Sequence, residues 1–193
     1  MANNQTPEKQ SAFKELVLPV IVLVVICLVC SALLAVLNDV TAPIIEENTK
    51  AETLAAYLSV LPEGTTEGDL TEVEGIDPAA GDVQGAVTTS AGAAAVKAAS
   101  SGYSGKDVTV YVAFDANGAI TNISVDASTQ TTGIGSKVAD DSFTSGFIGW
   151  NGGVVSSGSP VDGIASATYS SNAVFSAVNA AIDCYTNQIK GGE

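Results

Sequence analysis

Between Leu16 and Leu37 the chain carries no charged side chain, and sixteen of its positions are Leu, Ile or Val. As a helix this run spans roughly 33 Å at 1.5 Å per residue, enough to cross the hydrocarbon core of a bilayer. At a few tenths of a kcal/mol per such residue, insertion is favoured by about 5 to 10 kcal/mol. A cleavable signal peptide has a shorter apolar region and a small-residue cleavage site. Here the run is longer, has no clear A-x-A, and is preceded by Glu8 and Glu15 as well as Lys9 and Lys14. The pattern predicts one retained transmembrane helix over residues 16–37, with residues 1–15 ahead of it.

Beyond the apolar run the periodicity changes. Residues 38–62 read as a stalk that becomes helical, with Pro43 able to open a helix, a stripe of Ile44, Ile45, Leu54, Leu58 and Leu61, and Pro62 closing it. Residues 63–85 are acidic and rich in Gly and Pro, which predicts loop or weak strand. Residues 86–101 are rich in Ala, and their spacing alone does not separate helix from strand. Val108, Val110 and Val112 alternate with Thr109, Tyr111 and Ala113, the period of a half-buried strand. Asp115-Ala116-Asn117-Gly118 then predicts a turn and Ile120–Val125 a return strand, making a hairpin. From Ser171 to Lys190, Ala173, Val174, Ala177, Val178, Ala181, Ile182, Tyr185 and Ile189 recur at helical spacing, an amphipathic helix suited to covering a sheet. The expected fold class is α+β: a twisted, mainly antiparallel sheet with flanking helices over residues 63–193, behind a single membrane helix.

Composition narrows what such a domain can do. Of 193 residues, 7 are basic and 21 acidic, a formal net charge of -14. Nucleic acid is an unsuitable partner, because phosphate binding needs clustered Lys and Arg. All seven basic residues are Lys, and there is no His. The chain therefore lacks the side chain most used for proton transfer near neutrality, the commonest metal ligand, and the base of a Ser-His-Asp triad. Without Arg there is also no bidentate clamp for a free phosphate. No catalytic residue or metal site is expected, so the chemistry must come from something the protein carries. Cys27 and Cys30 form a C-x-x-C, but inside the apolar run they read as small packing residues, and Cys184 has no partner beyond the membrane.

The few charges beside the apolar run set its expected direction. Lys9 and Lys14 precede it, whereas Asp39, Glu46 and Glu47 follow before the first lysine, Lys50. Counting basic residues near the ends places the N-terminus in the cytoplasm and residues 38–193 in the periplasm or outside the cell.

Two short stretches carry candidate chemistry. Thr131-Thr132-Gly133-Ile134-Gly135-Ser136-Lys137 follows the hairpin, and Asp162-Gly163-Ile164-Ala165-Ser166-Ala167-Thr168-Tyr169-Ser170-Ser171 precedes the last helix. The first completes neither a Rossmann nor a Walker spacing. The second leads small residues and hydroxyls into a helix N-terminus. Two readings stay open there: Ser170 or Ser171 as a helix cap, or an anion site on free backbone amides.

The second stretch resembles the D-x-x-S/T-G-A-T-x-S-S segment of flavin-binding domains in the Rnf and Na⁺-translocating NADH:quinone complexes. The first is similar to the E-T-P-G-L-G-x-K of the same family. The resemblance extends in order through Thr41-Ala42-Pro43-Ile44-Ile45-Glu46-Glu47-Asn48, Val60-Leu61-Pro62 and Gly102-Tyr103-Ser104-Gly105. Its compact length looks like the Rnf G subunit. The chain departs from the pattern at Ala165 (Ser or Thr in the family), Ser166 (Gly), Thr131 (Glu) and Thr132 (Pro), and keeps Asp162, Ala167 and Thr168.

The resemblance implies a cofactor, FMN, esterified through its phosphate to Thr168 by a flavin transferase, so that the chain carries a phosphoester. It implies a binding site of Asp162, Ser166, Ala167, Ser170 and Ser171 with Thr131, Thr132, Gly133, Ile134, Gly135 and Lys137. It also implies an electron-carrier subunit, not catalytic alone, in a complex that couples ferredoxin:NAD⁺ electron transfer to Na⁺ or H⁺ movement, with the other Rnf membrane subunits as partners. The nearest alternatives are the C subunit of the quinone-reducing complex and a stand-alone extracellular flavoprotein. A membrane-anchored binding module, with the Ser-Thr-Gly content as surface loop, is the alternative outside redox chemistry.

Overall fold

A computed structural model describes residues 9–76, 82–151 and 153–191. Of the segment expected to precede the membrane, residues 1–8 lie outside the described residues, as do 77–81 of the acidic region. The chain divides into two units, Met1–Ala51 and Glu52–Glu193.

The described residues of the first unit are helical. Helix α1, Lys9–Val60, is 52 residues long and contains Pro19 and Pro43. Its apolar side chains from Leu18 to Leu37 are exposed, as expected of a surface that meets lipid. The expectation that Pro43 opens a new helix is corrected: the helix runs through it. An interior proline costs about 3 kcal/mol in an isolated helix, yet α1 is continuous through both Pro19 and Pro43. The stop before Pro62 is found as expected, since α1 ends at Val60 and the Leu61 N–H bonds to the Tyr57 carbonyl at 3.1 Å.

The second unit is built on a five-stranded antiparallel sheet in sequential order. Its strands are β1 (Leu70–Glu72), β2 (Val83–Thr89), β3 (Ala94–Ser101), β4 (Asp107–Phe114) and β5 (Ile120–Asp126). The alanine-rich stretch that periodicity left ambiguous forms β2 and β3, joined by a turn in which Gly92 has φ +83°. The predicted hairpin is β4–β5, pairing Val112 with Ile123 and Val110 with Val125. In its turn Asp115 Oδ1 accepts from the Asn117 and Ala119 amides at 2.8 and 2.9 Å. Of the Asn-Gly pair only Gly118 takes positive φ.

One expectation for β4 is corrected. Its Val108, Val110 and Val112 are fully buried as the alternation requires, but Tyr111 and Ala113 on the other face are buried too. The second face is covered by the end of α1: Tyr57, Val60 and Leu61 pack on Val87, Ala95, Tyr111 and Ala113. Tyr57 and Tyr111 meet edge to face, with centroids 5.6 Å apart. Burial raises the Tyr57 phenol far above its ordinary range. A strand central in a sheet covered on both sides loses its polar face.

The main core lies on the opposite face, under helix α3 (Thr168–Cys184), which continues into a π-helical turn, Tyr185–Ile189. Val174, Ala177, Val178 and Ala181 meet Ala94, Val96, Ala98 and the β4 valines. The small alanines of β3 let the helix approach closely. Phe114 stacks on Tyr185 at 4.7 Å, and the Tyr185 hydroxyl donates to the Asp115 carbonyl at 2.8 Å. Between β5 and α3 lie a short helix α2 (Asp141–Thr144) and two-residue strands β6 (Ser156–Ser157) and β7 (Pro160–Val161). Phe143 and Phe147 extend the core there.

Candidate functional site

The turn between β3 and β4, the segment leaving β5 and the first turn of α3 converge at one end of the sheet. Helix α3 begins at Thr168, three residues earlier than its apolar periodicity indicates, with Ala167 as N-cap and no side-chain cap. The capping reading is therefore corrected. Ser170 and Ser171 lie inside the helix and are buried, and their hydroxyls serve other groups. Ser171 Oγ accepts from the Ile164 amide at 3.0 Å, pinning the loop before the helix. Ser170 Oγ donates to Gln130 Oε1 at 2.8 Å. The first intrahelical bond runs from the Ser171 amide to the Ala167 carbonyl at 2.9 Å. The amides of Thr168, Tyr169 and Ser170 precede it and point their dipoles out of the helix start, where an anion is favoured.

Gln130 ties the three segments together. Its Oε1 also accepts from the Tyr103 amide at 3.0 Å, and its Nε2 donates to the Lys106 carbonyl at 2.9 Å and to Thr129 Oγ1 at 3.1 Å. The packing leaves no room for a Cβ at two glycines. At Gly135 one would lie 2.6 Å from Ser170 Oγ and 3.0 Å from Gln130 Cβ; at Gly102 one would lie 2.6 Å from Gln130 Oε1. Glycine at these points lets the 131–137 loop close onto α3 and the β3–β4 turn close onto Gln130.

Together these segments line a cleft of about 260 Å³, walled by Tyr103, Thr131, Ile134, Gly135, Ser166, Ala167, Tyr169 and Ser170. Both predicted stretches thus meet in one cavity. Of the predicted site residues, Thr131, Ile134, Gly135, Ser166, Ala167 and Ser170 line it. Thr168 is exposed between two lining residues, at the helix start. Thr132, Gly133 and Lys137 are exposed on the loop beside the cleft without lining it, Asp162 is exposed in the loop after β7, and Ser171 is buried behind it. Sequence reasoning missed Tyr103, Tyr169 and Gln130 as site residues. The two tyrosines fall inside quoted stretches, whereas no periodicity or motif marks Gln130.

The backbone is also unusual here. Ser104 (φ 59°) and Ser166 (φ 68°) are the two non-glycine residues with positive φ among the described residues, and both flank the cleft. Such conformations cost about 1–3 kcal/mol each and collect at functional sites.

No charged side chain lines the cleft. A phosphate at this end must therefore be met by backbone amides and hydroxyls, with no ion pair. The volume falls below the roughly 300–1,000 Å³ of pockets that engulf a whole drug-sized ligand. It suits one flat ring system between aromatic and small side chains, with a charged tail left at the helix start. That division fits FMN.

Residues 102–183 match the family model described as the FMN-binding domain, and residues 19–60 match the one described as the RnfG N-terminal region. No curated protein matches the chain. Among solved structures it is similar to the C subunit of the Na⁺-translocating NADH-quinone reductase from Parabacteroides distasonis. The identity is 16%, the TM-score 0.51, and the match covers 73% of this chain and 91% of that one. At that identity the likeness is one of fold, and it agrees with the α+β reading. Among the described residues a single helix is long and apolar enough to cross a membrane. With an RnfG N-terminal region on that helix and the cleft inside the FMN-binding domain, the chain belongs to the RnfG-like FMN-binding proteins: a membrane-anchored, FMN-binding electron-transfer subunit.

Proposed function

We propose that the chain holds FMN through a phosphoester to the Thr168 hydroxyl and serves as one electron-carrying step of an Rnf-type complex. The observation that carries this is the position of Thr168: exposed, first in α3, among three unpaired backbone amides, and between two residues that wall the cleft. Esterification there sets the phosphate oxygens at the helix start, where amides and dipole stabilise them without a cation. It also makes an external cofactor intramolecular, which keeps a small cleft occupied at high effective concentration. When bound, the flavin supplies one-electron transfer, and the protein contributes its position and electrostatic surroundings. The chain is not catalytic alone. It works with the other Rnf membrane subunits in ferredoxin:NAD⁺ electron transfer coupled to Na⁺ or H⁺ movement, and depends on a flavin transferase for loading. Its N-terminus is cytoplasmic and its flavin domain lies outside.

The test is peptide mapping by mass spectrometry of the full chain co-expressed with an active flavin transferase. FMN mass is expected on the peptide containing Thr168 and is expected to vanish in Thr168→Val, which keeps β-branching and removes the oxygen. Attachment at Ser166, Ser170 or Ser171, or full occupancy in Thr168→Val, would refute the site. The buried positions of Ser170 and Ser171 already argue for Thr168 over those competitors.

A further inference from the structure

We infer that Tyr103 and Tyr169 form an aromatic clasp that orients the flavin ring at the cleft. This rests on the flavin reading above and assigns the ring to particular side chains. The two rings come from different elements, the β3–β4 turn and the first turn of α3, and meet edge to face with centroids 6.2 Å apart at 61°. Both are largely exposed, at 55% and 68%, although each is a large aromatic side chain beside a cavity.

Their backbones are held firmly while their rings face solvent. The Tyr103 amide is fixed by Gln130, and Tyr169 precedes Ser170, which donates to the same Gln130 oxygen. Ser104 holds the strained φ of 59° directly after Tyr103, and Ser166 holds 68° two residues before Thr168. The fold thus spends conformational strain on both sides of the cleft while leaving two aromatic surfaces uncovered. Strained backbone collects at ligand sites, and exposed aromatic area beside a cavity offers a flat ligand a stacking surface. Tyr169 is also the neighbour of the proposed attachment residue, so a ring tethered at Thr168 starts beside it. Ile134, 47% exposed, supplies a further apolar contact in the same lining.

The experiment uses the full chain in detergent, flavinylated by co-expression, as wild type, Tyr103→Leu/Tyr169→Leu and Tyr103→Phe/Tyr169→Phe. Flavin loading is scored by mass, and the ring by its emission yield and visible circular dichroism. A phenol in contact with a flavin quenches its emission by electron transfer, whereas leucine does not. The expected result is equal loading in all three forms. In the Leu pair emission rises several-fold and visible dichroism is largely lost. The Phe pair retains the dichroism, because stacking persists, while its emission rises. Unchanged emission and dichroism in the Leu pair at equal loading would overturn the clasp. If wild type carries no covalent flavin, the attachment reading fails separately, and added riboflavin reads the clasp by itself. Quenching by wild type and not by the Leu pair then supports it, and equal behaviour overturns it. Both side chains are exposed, so unchanged far-ultraviolet dichroism and melting temperature are expected in every variant.

Discussion

The Ser170 hydroxyl donates a 2.8 Å hydrogen bond to the side-chain oxygen of Gln130, 40 residues earlier in the chain, and the same oxygen receives the Tyr103 amide. One buried amide group therefore closes the start of α3, the exit of β5 and the β3–β4 turn around the cleft. Gln130→Leu leaves the Tyr103 amide and the fully buried Ser170 hydroxyl without that acceptor. Each orphaned group costs about 1–3 kcal/mol, so thermal unfolding should begin several degrees lower. A melting temperature equal to that of wild type would show that the junction contributes nothing.

Gly135 and Gly133 separate two reasons for glycine in one loop. Gly135 has no room for a Cβ against Ser170 and Gln130, whereas Gly133 has φ +75° with nothing near its side-chain position. Gly133→Ala should cost about 1 kcal/mol from conformation alone. Gly135→Ala must push the loop off α3, so it should cost more stability and reduce flavin occupancy by mass. Equal losses in both would mean that the contact is relieved easily.

Ser166 occupies the left-handed region at φ 68°, where the family pattern has Gly. Ser166→Gly removes the Cβ clash and should be neutral or stabilising by up to about 1 kcal/mol, the gain offset in part by glycine's entropy. Ser166→Val, β-branched, should be the least stable of the three. A melting order with Val at the top would contradict the strain.

Lys137 is exposed in the short helical turn Gly135–Ala139 and does not line the cleft. Lys137→Met should therefore leave both flavin loading and the flavin midpoint potential unchanged. A lowered potential in the variant would place the lysine charge near the ring after all.

Orientation is open to protease. Lys9 and Lys14 before the apolar run and the acidic residues after it predict a cytoplasmic N-terminus. Protease added to spheroplasts should digest the domain after residue 38. Digestion only after lysis would reverse the topology and remove the reason for a tethered external cofactor.

The apolar run, the valine alternation of β4, the Asp115–Gly118 turn and the stripe of α3 were all legible because each is a local rule: length, period 2, turn chemistry and period 3.6. The two stretches around Gly133 and Thr168 were legible as motifs, and both family models cover them or the helix before them. What local rules could not decide was set by partners distant in sequence. The alanines of β3 became strand because β2 and β4 pair with both edges and α3 needs small residues beneath it. The polar face of β4 vanished because Tyr57, some 50 residues earlier, covers it. The helix start moved to Thr168 because the Ser170 and Ser171 hydroxyls are claimed by Gln130 and Ile164 in place of capping. The chemistry-bearing residues were thus written in order along the chain. Their meeting in one cleft, and the pairing of Tyr103 with Tyr169, required the sheet to bring its loops to one end, a long-range arrangement that no window of sequence encodes.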